Sequence, residues 1–148
     1  MDKKDKRILK ALEGNARASL KEISKETSLP ISAISDRLNF MRKNGIIEGY
    51  RVVVSPEKMG KDLLAFIFVG FYIDPGKGLK LNDVVSELSR LPNIEEAFTL
   101  AGSTDAILKV RVKEMSELRA FTEKHLLQKD YVKSVRTSIV LECIRDLH

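Results

Sequence analysis

The spacing of apolar residues changes near residue 60 and restricts what the chain can form. Before this point, apolar residues recur every three or four positions over short stretches, which is the spacing of small helices. After it, runs of β-branched and aromatic residues alternate with helical stretches. A chain of 148 residues forms one ordinary domain or two small ones.

Two short helices are predicted in the first thirty residues. Asp2 is a candidate cap for the first helix, which ends near Gly14. Ser19 and Glu22 have the spacing of a capping box, which predicts the start of the second helix. Pro30 stops this second helix, because a proline cannot extend a helix and restricts the residue before it.

A third helix follows this turn. The apolar residues of its predicted inner stripe are Ile34, Leu38 and Met41. Ser32 is a candidate cap, and Gly45 supplies the C-terminal stop. Two helices joined by a tight turn, after a supporting helix, form a helix-turn-helix. Beyond it, the β-branched segment Ile46 to Val54 predicts extended backbone.

The surplus of positive charge lies entirely in the N-terminal part. Up to Gly60, Lys and Arg outnumber Asp and Glu by 13 to 8, whereas from Lys61 onward the count is 13 to 13. The formal net charge of +5 therefore belongs to the first 60 residues, and this division favours two domains. Basic charge on a small helical module is typical of a nucleic-acid partner, and we predict double-stranded DNA.

The C-terminal part predicts alternating strands and helices. In order, the segments are strand 64–73, helix 79–91, strand 94–100, strand 105–112, helix 115–127 and strand 134–141. This βαββαβ order is the ferredoxin-like arrangement, so the fold class is α+β. The two helices cover only one face of the sheet, and a second copy of the chain would most simply bury the other.

Apolar spacing also predicts the core of this part and the domain limits. The residues expected to face inward are Leu81, Val84, Val85, Leu88, Met115, Leu118 and Phe121 on the helices, and Ala106, Leu108, Val110 and Val112 on the third strand. We predict a helix-turn-helix domain over residues 1–54, a linker over 55–62, and a ferredoxin-like domain over 63–148.

Residues of the third helix outside the inner stripe are candidate DNA contacts. They are Ser32, Ala33, Ser35, Asp36, Arg37, Asn39, Phe40, Arg42 and Lys43. The basic side chains suit phosphates or a guanine edge, and the amide of Asn39 suits adenine. Asp36 fits less easily, because a carboxylate repels phosphates unless it accepts a hydrogen bond from a cytosine amine. The alternative is a solvated face on a small helical bundle.

A glycine turn between two predicted strands is a candidate ligand site. Gly102 permits a tight or positive-φ turn, and Ser103, Thr104 and Asp105 present hydroxyls, backbone amides and one carboxylate together. Amides suit a carboxylate ligand, and Asp105 suits an α-amino group, so the turn suits an amino acid. The same residues also form an ordinary hairpin connection, and that alternative stays open.

Several other classes of protein find no support in the sequence. The longest apolar run, Leu63 to Ile73, has 11 residues, whereas a membrane helix needs roughly 20. One cysteine, Cys143, excludes an internal disulfide and fits a reducing cytoplasm, where we expect the protein to act. The sequence has only two histidines and contains no metal-ligand pattern, no Ser/His/Asp set and no phosphate-binding glycine loop. We therefore predict no metal, no cofactor and no catalytic residue.

Five stretches taken together resemble the Lrp/AsnC family, the feast/famine transcription regulators of bacteria and archaea. They are residues 5–12, 15–17, 31–38, 44–50 and 102–105. This resemblance covers nearly the whole chain. It implies a winged helix-turn-helix followed by a ferredoxin-like (RAM/AsnC-type) domain. That second domain builds homodimers through its sheets, and dimers assemble into tetramers or octamers.

The resemblance also implies a small-molecule effector, typically an amino acid, bound at the contact between dimers. The implied effector residues are Gly102, Ser103, Thr104 and Asp105, with Thr137 and Ser138 of the last strand as further candidates. We therefore predict a sequence-specific transcription regulator whose assembly or DNA binding responds to an amino acid. Two alternatives stay open: a nucleoid-like DNA-packaging protein, and a haem-precursor decarboxylase of related architecture.

Overall fold

Two compact units make up the chain, Met1–Val52 and Val53–His148. The computed structural model describes residues 1–72 and 80–143. The division between the units lies at residues 52 and 53, so the linker predicted over 55–62 falls within the second unit. We call the first the helical unit and the second the sheet unit.

Three helices build the helical unit. They are α1 Lys3–Gly14, α2 Leu20–Thr27 and α3 Ile31–Lys43. Asp2 starts α1 in a reciprocal capping box with Asp5, and Ser19 starts α2 in one with Glu22. Each box satisfies backbone N–H groups that have no partner inside the helix. Both predicted caps are confirmed.

The two ends of α3 differ in how well the sequence predicted them. Ser32 as a cap is wrong, because the residue before the helix is Pro30 and no side chain caps the helix. The pyrrolidine ring sets φ of Pro30 to −61°, which lets the helix begin directly after it. At the other end Gly45 has φ of +67°, and Ile46 N–H donates to the Met41 carbonyl at 2.8 Å. Gly45 therefore closes the helix as predicted.

A small apolar core joins the three helices. The side chains with 1% exposure or less are Ile8, Ile23, Ile34 and Met41. Leu38 is also buried, so the predicted inner stripe of α3 is confirmed. After α2, Ser28 adopts φ of +54°, and Leu29 then turns back into the core. The turn before α3 is thus held by packing as well as by Pro30.

The segment after α3 forms no regular strand, and the structure describes all of its residues. The extended backbone predicted for Ile46 to Val54 pairs with no strand in the described part of the chain, and Val52 is 86% exposed. A 3₁₀ turn, Glu57–Met59, follows and closes at Gly60, where φ is +68°.

The sheet unit contains a four-stranded antiparallel sheet. Its strands are β1 Leu63–Phe71, β2 Ile94–Thr99, β3 Ala106–Val112 and β4 Val132–Ile139. The strand order is β2-β3-β1-β4, which places β1 and β3 in the centre. Together with two intervening helices this is the predicted ferredoxin-like arrangement, and the α+β class is confirmed.

Two helices supply the rest of the core. They are α4 Leu81–Leu88 and α5 Met115–Thr122, the latter continued by a π-helical turn, Glu123–Leu127. The predicted start of α4 at residue 79 lies outside the described residues. Leu118 and Phe121 are buried as predicted. The prediction that Met115 faces inward is wrong, because its side chain is 52% exposed. Met115 is the first residue of α5, and the buried residues of this helix begin at Leu118.

Alternation along the central strands separates the two faces of the sheet. The side chains with 0% exposure on the helix side are Ala65, Ile67, Val69, Ala106, Leu108, Val110 and Val112. The opposite side carries Phe66, Phe68 and Ile107, all half-buried, and Phe98, which is 45% exposed. We call this second side the open face. Within residues 1–72 and 80–143, every helix is too short or too polar to cross a bilayer.

Candidate DNA-reading helix and effector turn

All nine candidate DNA contacts lie on α3 at or near the surface. Exposed side chains are Ser32, Asp36, Asn39, Phe40, Arg42 and Lys43, and half-buried ones are Ala33, Ser35 and Arg37. With about 100° of rotation per residue, Asp36 and Lys43 point roughly opposite to the buried Ile34. The helix therefore presents an accessible outer face, with Asp36 and Lys43 along its middle.

Arg37 differs from the other two basic residues of α3. Its Nη1 lies 2.6 Å from Oδ1 of Asp5 and 2.8 Å from Oδ2 of Asp2. These carboxylates, Asp5 first, raise the pKa of Arg37. Arg42 and Lys43 form no ion pair with any residue that the structure describes. Among residues 1–72 and 80–143, Arg42 and Lys43 therefore have no anionic partner, whereas Arg37 has two.

A shallow cavity of about 410 Å³ lies beside the outer face of α3. Its lining residues are Asp5, Ala33, Asp36, Arg37 and Phe40. Two carboxylates and one guanidinium give this lining a formal charge of −1, and Phe40 adds an aromatic surface that is 53% exposed. The net negative charge of this lining disfavours a phosphate there.

The basic residues of α1 and α2 include one that forms a hydrogen bond between the two helices. The guanidinium of Arg7 donates to the carbonyl oxygen of Thr27, which joins α1 to the C-terminal end of α2. Lys21 and Lys25 on α2 are exposed, and the sequence prediction did not include them as DNA contacts. The sequence shows that these residues are basic. The structure adds that Arg7 forms a hydrogen bond between helices, whereas Lys21 and Lys25 lie on the surface of α2.

Asp105 anchors the predicted effector turn between β2 and β3. Its N–H donates to the carbonyl of Val69 at 3.2 Å, and its carbonyl accepts the N–H of Leu100 at 2.8 Å. The side-chain Oδ2 accepts the N–H of Phe71 at 2.8 Å. The half-buried carboxylate is thus held at the end of β1, with Oδ2 already engaged.

The backbone at Gly102 does not require a glycine, although the sequence suggested that it would. The described glycines with positive φ are Gly45 and Gly60, so the positive-φ option for Gly102 is wrong. A Cβ at Gly102 would meet no atom within 4 Å, so neither space nor φ requires glycine there. Gly102 and Ser103 are exposed, and Thr104 is half-buried. Together with Asp105 they form one accessible polar turn.

Thr137 and Ser138 lie on opposite faces of β4. Thr137 pairs with Ile67, whose side chain faces the helices, whereas Ser138 pairs with Phe66 of the open face. Both pairs lie three or four residues along β1 from Gly70, which corresponds to roughly 10 Å or more. The register therefore does not bring these two hydroxyls to the carboxylate of Asp105.

A third hydroxyl on β4, that of Ser134, was not among the residues predicted from the sequence. It pairs with Gly70 on the open face. A Cβ built on Gly70 would lie 2.6 Å from Oγ of Ser134 and 3.7 Å from Oδ2 of Asp105. The two polar groups therefore converge over a position without a side chain. A glycine inside an apolar strand run is a signal of such close approach.

His125 packs at the edge of the sheet-unit core. Its ring lies 5.1 Å from that of Phe121, and the side chain is half-buried. Burial, followed by the charge of Lys124, lowers the pKa of His125. These contacts give the residue a packing role.

Two known domain families match the chain in order. The winged helix-turn-helix DNA-binding family matches residues 1–48, and the Lrp/AsnC ligand binding domain matches residues 66–146. The first match contains all three helices of the helical unit. The second contains almost the whole sheet and the effector turn.

Several proteins similar to this chain are transcriptional regulators. The HTH-type transcriptional regulator FL11 of Pyrococcus furiosus is 34% identical over 96% of this chain and 90% of its own length. The regulator of the same name from Pyrococcus horikoshii is 36% identical over 83% of this chain and 78% of its own length. The transcriptional regulator AzlB of Bacillus subtilis is 30% identical over 95% and 88%.

Solved structures share the whole fold. AsnC of E. coli is 29% identical and superposes with a TM-score of 0.86 over 99% of this chain and 95% of that one. A transcriptional regulator of Neisseria meningitidis, solved as an L-Met complex, is 29% identical with a TM-score of 0.89 over 99% and 93%. The chain therefore belongs to the Lrp/AsnC family, as a DNA-binding transcription regulator with a ligand-binding domain.

Proposed function

We propose that this regulator reads specific DNA sequences with the outer face of α3. The observation that supports this most is the exposure of Asn39, Arg42 and Lys43, with both cations free of ion pairs among the described residues. An amide side chain pairs with an adenine edge, and cations pair with phosphates or a guanine edge. The same face thus offers both positioning and reading groups.

The proposed effector is an amino acid bound at the turn formed by Gly102, Ser103, Thr104 and Asp105. The bond from Phe71 N–H fixes the Asp105 carboxylate through Oδ2. Oδ1, which accepts no hydrogen bond from the residues that the structure describes, can accept one from an α-ammonium group. The hydroxyls of Ser103 and Thr104 suit the α-carboxylate of the ligand. An L-Met complex of the Neisseria relative supports the same ligand class here.

The proposed assembly is a homodimer built through the open face, with tetramers or octamers formed from dimers. Register places Phe98 beside Ile107 and Ile107 beside Phe68, so apolar side chains cross three strands without interruption. Arg136 covers part of this strip, with its guanidinium 4.6 Å from the centre of the Phe68 ring. A continuous, partly exposed apolar patch of this kind marks an interaction surface. A second copy presents the same patch and can cover it.

Nucleoid-like packaging is the second candidate, and the charge distribution favours it independently. All of the formal +5 lies within the first 60 residues. Charge of this kind binds any phosphate backbone, with an affinity that falls steeply with salt and depends little on sequence.

A mobility-shift titration at fixed, near-physiological salt tests the proposal. The probes are the DNA upstream of the protein's own gene and a scrambled duplex of equal length, each with and without a pool of the twenty amino acids. The proposal expects preferred binding of the upstream probe and a change in that binding with the pool. Equal binding of both probes, unaffected by amino acids, would favour packaging instead.

Two pairs of variants assign these effects to residues. Asn39→Ala should relax sequence preference, whereas Lys43→Ala should weaken binding to both probes alike and lower the salt dependence. Asp105→Asn keeps an oxygen for Phe71 N–H but loses the charge that holds an ammonium group. It should remove the amino-acid response and retain DNA binding, whereas Asp130→Asn, at an exposed site elsewhere, should retain both.

A further inference from the structure

Arg37 lies at the edge of the buried stripe of α3, away from the middle of its outer face. It follows the buried Ile34 by three residues, which places it about 60° around the helix from Ile34. Asp36 and Lys43 stand about 160° to 180° from the same residue. The Arg37 side chain is 29% exposed, in agreement with this position. It therefore faces α1 along the flank of α3.

The carboxylates that hold Arg37 are themselves part of the start of α1. Oδ1 of Asp5 binds Arg37 at 2.6 Å, while Oδ2 of the same group accepts the N–H of Asp2 at 2.7 Å. The Asp5 side chain is only 7% exposed. Asp2 caps α1 through Oδ1 and binds Arg37 through Oδ2 at 2.8 Å. One guanidinium thus ties α3 to both carboxylates of the α1 cap.

The charge around Arg37 opposes a second role at a phosphate. Asp2 and Asp5 together carry −2 against the +1 of Arg37, so the cluster has a net charge of −1. Asp36, which lines the same cavity, adds another negative charge. A phosphate brought to this flank would meet net repulsion, whereas Arg42 and Lys43 face no carboxylate partner among the described residues.

We propose that Arg37 is a positioning residue, which fixes α3 against α1 through Asp2 and Asp5 and makes no direct contact to DNA. This inference rests on the proposed DNA-reading role of α3. The proposal gives Arg37, which is held in ion pairs, a different role from Arg42 and Lys43. The bonds of Arg37 set where the outer face of α3 stands, and Arg42 and Lys43 meet the phosphates.

The test compares Arg37→Met, Arg37→Lys and Asp5→Asn with Arg42→Met as the matched control in the full-length protein. Each variant is titrated with a duplex selected by the wild-type protein, at several salt concentrations, and its thermal unfolding is followed by circular dichroism. Asp5→Asn is the decisive variant because it removes no cation. Its amide oxygen can still accept the N–H of Asp2, so the α1 cap is retained.

For a positioning residue, Arg37→Met and Asp5→Asn should both weaken DNA binding, by about three- to tenfold, and lower the unfolding midpoint. The dependence of log affinity on log salt should keep its slope in both. Arg37→Lys, which can restore an ion pair, should recover most of the affinity. Arg42→Met should reduce the slope by about one while leaving the unfolding midpoint unchanged.

A direct phosphate contact gives the opposite results. Arg37→Met would then reduce the salt slope by about one, and Asp5→Asn would bind DNA as tightly as the wild type or more tightly, because it frees the cation. Either result would overturn the proposal, as would an unfolding midpoint unchanged in both variants. Wild-type protein that selects no duplex would contradict the proposed DNA reading instead. In that case, the unfolding midpoints of Arg37→Met and Asp5→Asn would still decide whether Arg37 holds α3 against α1.

Discussion

The bond between Asp2 N–H and Asp5 spans three residues, whereas the bond between Phe71 N–H and Asp105 spans 34. The helical unit starts its first two helices with such local contacts, and a small core joins them. The sheet unit depends on register between distant strands, as in the pairing of Val69 with Ala106. Local and distant contacts thus dominate different parts of the same chain.

This difference extends to function. The helical unit leaves the cations Arg42 and Lys43 accessible on α3, a helix that begins directly after Pro30 and closes at Gly45. The sheet unit buries one face against α4 and α5 and leaves Phe68, Ile107 and Phe98 on the other. A surface of the first kind suits a charged polymer, and one of the second kind suits another protein chain. Perturbations of core, caps and charges should therefore affect the two units differently.

The largest effect should come from the core of the sheet. Leu108 is 0% exposed between β1 and β2, and its truncation to Ala should lower the free energy of unfolding by about 2–5 kcal/mol. Urea unfolding followed by circular dichroism measures this loss. The neighbouring Ile107 faces the open side, so Ile107→Ala should cost less in unfolding and instead weaken self-association in analytical ultracentrifugation. Equal losses from both variants would contradict the assignment of the two faces.

A smaller effect should separate the caps of the helical unit. Ser19 accepts the N–H of Glu22 at 3.2 Å at the start of α2, and Ser19→Ala should cost about 1 kcal/mol. Ser32 makes no capping bond at α3, so Ser32→Ala should leave the unfolding free energy nearly unchanged. Thermal unfolding of both variants tests this pair. A cost at Ser32 equal to that at Ser19 would mean that Pro30 does not start α3.

The smallest effects should appear in the dependence of stability on pH. Backbone N–H donors, Asp5 for Asp2 and Ser19 for Glu22, hold both pKa values below the usual 3.8 and 4.5. Their stabilisation is therefore complete above these values and is lost as the pH falls through the lowered pKa of each group. Unfolding midpoints measured below about pH 4.5 should decline less in Glu22→Gln than in the wild type.

The sheet unit should add a loss at the alkaline end. The carboxylate of Glu96, 2.9 Å from Nζ of Lys109, raises the pKa of Lys109 above its usual 10.5. Stabilisation by this pair is complete below that value and is lost as the pH rises through the raised pKa. Lys109→Met should remove this part of the alkaline decline in unfolding midpoint. An unchanged decline would show that the pair contributes nothing measurable.

The sequence predicted those features that depend on neighbouring residues. Asp2 and Ser19 were identifiable because a capping box needs only a fixed spacing, and Gly45 because a helix end needs one left-handed residue. The order of strands and helices followed from the spacing of apolar residues. The alternation along β3 likewise required no knowledge of its partner strands.

Features that depend on packing between elements escaped prediction. The ion pairs of Arg37 require α1 to lie against α3, which no spacing within α3 reveals. Ser134 lies beside Gly70, where the Asp105 carboxylate also approaches, only because of the register between β1 and β4. The family resemblance implies Thr137 and Ser138 as effector residues, yet period-two alternation places them on opposite faces of β4. The exposed face of α3 was thus predictable, whereas the ion pairs of Arg37 and the place of Ser134 beside Gly70 were not.

The proposed function requires the sheet unit to bind an amino acid at Asp105 while the helical unit binds DNA. Isothermal titration calorimetry of the twenty amino acids against the wild-type protein, Asp105→Asn and the control Asp130→Asn tests it most directly. We expect heat of binding for at least one amino acid with the wild type and the control, and none with Asp105→Asn, which should still bind DNA. Unchanged binding by Asp105→Asn would place the ligand elsewhere, and no binding by the wild type would mean that the effector is not an amino acid.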